Sequence, residues 1–231
     1  MKVLILAAGR GSRLNDKTKN KPKALVEIDN KAILDHQLNI LKKYNIKDIC
    51  IVVGYKSKKI LNFIKKKNFF KFTIIINYKY YKTDSAYSFS LAKRFISNSD
   101  YLHLNCDIIF DKLVLKKILS SNKKNILSCR SDTTLGEKMD LIITKNSRII
   151  KFDNKYYPEA KKKVFGVAKI SRELGKKMIN RVELDIKKNK LNKKCFSYFK
   201  TLCKKNVINS INFTKKNLIE INNLDDIKNR K

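Results

Sequence analysis

The first residues whose types and spacing suggest chemistry lie within the opening 23 positions. Leu6 to Leu14 reads LAAGRGSRL, and Lys21-Pro22-Lys23 follows shortly after. Gly9 and Gly11 free the backbone to bend and to bring N–H groups against an anion. Arg13 and Lys23 are cations able to grip phosphate oxygens. The loop is neither G-x-G-x-x-G nor a Walker loop, because Ser12-Arg13 stands where Lys-[ST] would be required. Further along, Asp107 ends an apolar run, where a carboxylate can cap a turn or hold a cation. His36 and His103 fall within a helical and a strand-like stretch and read as structural. The five cysteines form no CxxC pair and no Cys/His cluster, which argues against a zinc site and for reduced thiols. Tyr78, Tyr80, Tyr81 and Tyr87 read first as packing, with an aromatic wall for a cationic ligand as the alternative.

Hydrophobic periodicity supplies the elements that must position these groups. Lys2 to Ala7 is a continuous apolar, β-branched run and predicts a buried strand ending at the Gly-rich loop. Ala32 to Tyr44 places Ile33, Leu34, Leu38 and Leu41 on one helical face. Strands follow at Asp48 to Val53, Phe72 to Asn77 and Tyr101 to Asn105, separated by helices over Ser57 to Lys67 and Ser85 to Phe95. That alternation requires right-handed crossovers and a mostly parallel sheet covered on both faces. In such a sheet, ligands bind beyond the carboxyl ends of the strands, which is where the Gly-rich loop falls.

Beyond Asp111 the rhythm changes to short strands near Asn125 to Ser128, Asp140 to Thr144, Ile149 to Phe152 and Val164 to Ile170. Asn146-Ser147 forms a tight turn, amphipathic helices lie before and after Asn192, and a last strand covers Ile208 to Phe213. The reading is one domain over 1–231, with a parallel N-terminal core over about 1–111 and a mixed part covering the site over about 112–231.

Composition narrows the function classes. At 231 residues and 43% hydrophobic, the chain can bury a sizeable core. No apolar run reaches membrane-spanning length and no signal-peptide pattern is present, so a soluble, cytoplasmic protein without a membrane partner is expected. The net charge is +34, yet only eight of the 54 cations are Arg, and the Lys are scattered along the whole chain. A solvated Lys-rich surface explains this better than a dedicated nucleic-acid face, while still drawing in anionic substrates.

Read together, the segments resemble the NTP-transferase (nucleotidyltransferase) family, which includes sugar-1-phosphate nucleotidyltransferases and phosphocholine-type cytidylyltransferases. LAAGRGSRL with PKALVEI looks like the family signature. IVVGY (51–55), NYKYYKTDSAYSFSLA (77–92), LHLNCDIIF (102–110), VFGVAKIS (164–171) and LIEINNLDDI (218–227) resemble later segments in the family's order.

The resemblance implies a three-layer, Rossmann-like α/β fold with a mostly parallel central sheet. It also implies Mg²⁺-dependent transfer of a nucleoside monophosphate from an NTP to a small phosphorylated acceptor. Leu6, Ala7, Ala8, Gly9, Gly11 and Ser12 would surround the nucleotide, with Asp84, Ser85 and Ser88 near base and ribose. Arg13 and Lys23 would neutralise the triphosphate, Asp107 would hold Mg²⁺, and these three would be the catalytic residues. Asp140 and Lys155 resemble acceptor-side positions.

CTP is the expected nucleotide, and phosphocholine or an aminophosphonate the expected acceptor. A sugar-1-phosphate acceptor is the alternative, and a homodimer is compatible with the reading. Two departures stand out. Cys106 replaces the glycine usual before the metal-binding Asp, and Asn222 stands where the family carries its second metal-binding Asp. An Asn oxygen can coordinate Mg²⁺ without contributing charge. Two other classes remain to be weighed: a non-catalytic nucleotide-binding regulator, motivated by Asn222, and a nucleic-acid-binding protein, motivated by the charge.

Overall fold

The first strand sets the layering. In the computed structural model, which describes residues 1–228, β1 (Lys2–Ala7) is buried on both faces. Leu4 and Leu6 join one core, while Val3, Ile5 and Ala7 join another on the opposite face of the sheet. A strand alternates its side chains with period two, so an all-apolar strand must be covered twice. On one side, β1 pairs in parallel with β2 (Asp48–Val53), which pairs in parallel with β3 (Lys71–Ile76). On the other side it pairs with β4 (Tyr101–Asn105), again in parallel. The crossovers between these strands run through α1 (Ile33–Lys43), α2 (Ser57–Ile64) and α3 (Ser85–Leu91).

Leu34, Leu38 and Leu41 of α1, with Ile60 and Ile64 of α2, cover one face of the sheet, whereas Ala86 and Phe89 of α3 cover the other. The helix expected over Ser85 to Phe95 is divided at Ala92, a second short helix running over Lys93–Ile96.

After β4 the chain makes a short strand β5 (Ile108–Phe110) and helix α4 (Lys112–Ser120), whose N-terminus is capped by the Asp111 carboxylate. The strands β6 (Ile126–Arg130), β7 (Leu141–Lys145), β8 (Arg148–Asp153) and β9 (Lys162–Ile170) follow. Asn146 and Ser147 both take left-handed φ between β7 and β8, the conformation a two-residue hairpin turn requires. Helices α5 (Arg172–Lys187) and α6 (Phe199–Lys205) flank Asn192 as expected, and β10 (Asn209–Phe213) and β11 (Leu218–Glu220) come last.

The nine-stranded sheet runs β3-β2-β1-β4-β9-β6-β10-β8-β7, with β9 also touching β7. It is parallel from β3 to β4 and mixed beyond, which is the α/β architecture anticipated from the alternation of elements. Among the described residues no helix is long and apolar enough to cross a membrane.

A third apolar cluster matters most for the site. Leu14, Val26, Ile28, Ile33, Ile109 and Ile221 are all buried together. They come from the Gly-rich loop, the short ribbon Glu27–Ile28 with Lys31–Ala32 and the residue before it, the start of α1, β5 and the segment after β11. Each such side chain contributes about 1.5–3 kcal/mol on burial. The cluster therefore fastens the loop and the C-terminal segment to one floor.

Candidate active site

The Gly-rich loop leaves the carboxyl end of β1 and turns sharply at Gly11, which has φ 72°. A Cβ there would lie 2.9 Å from Cβ of Lys23, so glycine is required by both conformation and space. Thr18, itself buried, donates its hydroxyl to the Gly11 carbonyl at 3.0 Å, and Tyr55 donates to the Lys19 carbonyl at 2.5 Å. Gly54 lets β2 end close against the loop: Tyr55 N–H reaches the Ala8 carbonyl at 3.0 Å, and a Cβ on Gly54 would meet that carbonyl at 2.7 Å. Gly9 is different, since a Cβ there would meet nothing within 4 Å. It lines an open cleft of about 320 Å³ at the carboxyl ends of the parallel strands.

Asp107 sits in the turn between β4 and β5, and that turn is held from three directions. Cys106 N–H bonds to the Leu6 carbonyl (3.2 Å), Ile221 N–H to the Asp107 carbonyl (2.9 Å), and Gln37 Nε2 to the carbonyls of Asn105 and Ile108 (2.8 Å each). Gln37 is fully buried on an otherwise apolar helix face, so its two bonds bracket the acidic residue. The Asn105 side chain faces Gly166 of β9, where a Cβ would come within 2.4 Å of it.

At the cleft centre Lys23 Nζ donates to Asp107 Oδ2 at 2.8 Å and to Asn222 Oδ1 at 3.4 Å. Arg13 Nη2 donates to the same Asn222 oxygen at 3.1 Å. Asp107 Oδ1 is buried and has no hydrogen-bond partner. Asn222 arrives there because β11 pairs antiparallel with β5, placing Glu220 opposite Ile108, two residues from Asn222. Glu220 in turn accepts from Lys163 Nζ of β9 at 2.6 Å. Burial alone would raise its carboxyl, but Lys163, Lys23 and a hydrogen bond with Asn222 outweigh that and hold it below the ordinary range.

The end of the cleft beside α3 is organised by Asn77, which is buried just after β3. Its Nδ2 bonds to Thr83 Oγ1 and Ser88 Oγ, each at 3.1 Å, and its Oδ1 accepts from Lys79 N–H. Asp84 caps α3 through Ser85 N–H. The segment 191–195 folds over this helix end, with Cys195 N–H bonding to Ser85 Oγ at 2.9 Å. His103 lies beneath, fully buried against Phe196. Desolvation pushes its imidazole down to about 4, against a hydrogen bond with Asn105, so it stays neutral and structural. His36 bonds to the Ile28 carbonyl and is likewise structural.

With this geometry in view, the likeness to known proteins is decisive. The model of the Nucleotidyl transferase family matches residues 2–183. The chain belongs to this family. It is 48% identical over 59 residues to the choline-phosphate cytidylyltransferase of Streptococcus pneumoniae, 26% of each chain. It is 29% identical over 169 residues to the CTP:phosphoglutamine cytidylyltransferase of Campylobacter jejuni, 71% of this chain and 66% of that one. These alignments thus span from a quarter to just under two thirds of the relatives' lengths. In fold, the structure of the CTP:phosphocholine cytidylyltransferase from Streptococcus pneumoniae superposes with a TM-score of 0.79 at 21% identity, covering 98% of this chain and 96% of the other.

Most residues singled out in the sequence of this nucleotidyltransferase converge on the cleft. Leu6, Ala8, Gly9, Gly11, Arg13, Lys23, Asp84, Ser85, Ser88, Asp107, Asp140 and Asn222 all line it. Three do not. Ala7 points to the opposite face of β1 and is buried in the helix-covered core, as strand alternation dictates. Ser12 is exposed and lies outside the lining, because the turn at Gly11 directs the chain away. Lys155 is exposed beyond β8, where its backbone N–H bonds to Asp153, and it does not reach the cleft.

Of the acids near Asn222, Asp226 is committed to capping, accepting from Asn222 and Asn223 N–H. Glu220 is in the cleft, paired as described. Sequence reasoning missed Asn77, Asn105, Lys163, Lys194 and Phe196. Asn77 sits at a strand's carboxyl end and was findable by that rule, whereas Lys163 and Lys194 carry no local signal in a chain this rich in Lys.

Proposed function

We propose that this nucleotidyltransferase moves CMP from CTP to a small phosphorylated or phosphonylated acceptor, releasing pyrophosphate. The observation that carries this reading is the contact of Lys23 with Asp107 and Asn222 beneath the Gly-rich loop, with Asp107 Oδ1 left unsatisfied. A buried carboxylate oxygen with no donor fits a divalent cation. Among the described residues no three His, Cys, Asp or Glu side chains converge on a metal site. One carboxylate, the Asn222 oxygen and phosphate oxygens are the ligand set that suits Mg²⁺, which keeps few protein ligands when it binds with a nucleotide. Bound there, Mg²⁺ supplies positive charge to the phosphoryl group being transferred.

The chain's own groups carry the rest. The acceptor's phosphate oxygen is already anionic near neutral pH, so attack at the α-phosphorus needs no side-chain base, and His103 and His36 are not called upon. Arg13 and Lys23 stabilise charge on the triphosphate and on the departing pyrophosphate. Lys23 is 7% exposed and its cation is held in place by Asp107, so little reorganisation is needed when phosphate arrives. Asp84 favours cytosine: an ionised carboxylate only accepts, cytosine offers a 4-amino donor, and uracil presents a carbonyl there. The relatives named for cytidylyl transfer support the same nucleotide.

The test is pyrophosphate release with Mg²⁺, each of four NTPs being paired with phosphorylated amines and sugar-1-phosphates. CTP is expected to be preferred, and Asp107→Ala or Lys23→Met to lower the rate by roughly a hundredfold or more. Preference for UTP or dTTP with a hexose-1-phosphate would replace this reading with NDP-sugar synthesis. NTP binding without turnover by any pair would indicate a regulator.

A further inference from the structure

Among the described residues, two buried polar atoms of cleft-lining side chains lack a partner: Asp107 Oδ1 and Asp140 Oδ1. The first is accounted for by the metal site. The second lies just before β7, where the Asp140 carbonyl accepts from Val164 N–H at 2.8 Å and fixes the backbone. Two lysines approach the carboxylate, but both are engaged elsewhere: Lys194 Nζ with the Lys138 carbonyl at 3.0 Å, and Lys163 Nζ with Glu220 at 2.6 Å. Burial raises the Asp140 carboxyl to about 6, Lys194 and Lys163 opposing this and Glu220 and Asp84 adding to it. A buried acceptor oxygen lining a ligand cleft, whose neighbouring lysines bond to other acceptors, calls for a hydrogen-bond donor carrying positive charge.

We propose that Asp140 selects the acceptor by holding a protonated primary amine, so that the acceptor class is an aminoalkyl phosphate or phosphonate. This rests on the CMP-transfer reading above and narrows it. A trimethylammonium group has no N–H to offer and is normally held by aromatic faces. The aromatic rings lining the cleft do not form such a box. Tyr80 packs edge-on against Tyr55 at 6.1 Å, beside Gly54 and the phosphate loop, and Phe196 is 4% exposed, its ring against His103 and Phe199. Tyr78 and Tyr81 are exposed and do not line the cleft.

The experiment is calorimetric titration of the protein, saturated with Mg²⁺ and α,β-methylene-CTP, with four acceptors: O-phosphoethanolamine, 2-aminoethylphosphonate, phosphocholine and ethyl phosphate. Both primary amines should bind about tenfold or more tightly than the other two. Asp140→Asn, nearly isosteric, should weaken the amines by roughly ten- to a hundredfold while leaving the CTP analogue and ethyl phosphate unchanged. Asp140→Glu should restore part of the preference.

Phosphocholine binding as tightly as phosphoethanolamine, neither amine binding, or Asp140→Asn weakening all four alike would overturn the inference while CMP transfer stands. Failure of the CTP analogue itself to bind would instead overturn the nucleotide reading, and the acceptor assignment with it.

Discussion

The parallel half of the molecule furnishes the cleft with its glycines, Arg13, Lys23 and Asp107, whereas the mixed half adds Asp140, Glu220 and Asn222. Gly9, Gly11 and Arg13 lie within six residues of the end of β1, and Lys23 follows in the same signature segment, so local sequence both names and places them. Asp140, Glu220 and Asn222 come from distant segments, brought in by β9 and by the pairing of β11 with β5. The first kind of site follows from a topological rule, since parallel strands present their carboxyl ends to one crevice. The second kind depends on long-range pairings that no window of sequence displays. Asp107 lies at the seam, held by Gln37 from one half and Ile221 from the other.

This contrast can be broken at the seam by acid. His103 of β4 is buried and neutral, its value lowered from 6.5 to about 4. As pH falls the unfolded chain takes up this proton first. The stabilisation is present in full above pH 6.5 and is lost as pH drops to about 4, amounting to about 3 kcal/mol. Urea denaturation across that range, with NMR titration of the imidazole, measures it. An imidazole titrating near 6.5 in the folded protein would refute the assignment.

Within the parallel half, the two loop glycines should separate. Gly11→Ala places a side chain at φ 72° against Lys23 and should cost about 1–3 kcal/mol in thermal unfolding. Gly9→Ala meets nothing in the protein and should leave stability unchanged while raising KM for the nucleotide, because its methyl enters the cleft. Equal melting temperatures for the two variants would show that the turn is not as tight as Gly11 indicates.

In the mixed half the smallest effect is expected. Asn222→Asp adds a charged ligand beside Asp107 and should lower the Mg²⁺ concentration for half-maximal activity several-fold. It also gives Arg13 and Lys23 a second carboxylate. Fluorescence-monitored Mg²⁺ binding with bound nucleotide would check this apart from turnover, and an unchanged midpoint would mean that residue 222 does not face the metal.

Much of the fold was legible in the residues. Lys2–Ala7, Asp48–Val53 and Tyr101–Asn105 are strands at the positions their continuous apolar runs indicate, since burial on both faces leaves no other pattern. The ribbon of β5 with β11 was not legible: each strand has three residues, too few for periodicity to register, and they pair across more than a hundred positions. That Ala7 and Ser12 lie off the cleft has the same physical origin as the place of Gly9 on it. A signature identifies a segment, and only strand alternation and the turn at Gly11 decide which of its side chains face the cleft.

The sequence by itself determined the layered α/β order, the Gly-rich loop at the end of β1 and the identity of the central cations, because these depend on short-range pattern and on residue chemistry. Only the tertiary structure decided that Lys23 is shared between Asp107 and Asn222, that Glu220 is bound to Lys163, and that Asp140 is left without a donor. Such facts are matters of ångströms between residues far apart in the chain, where burial strengthens each charge and makes every missing partner consequential.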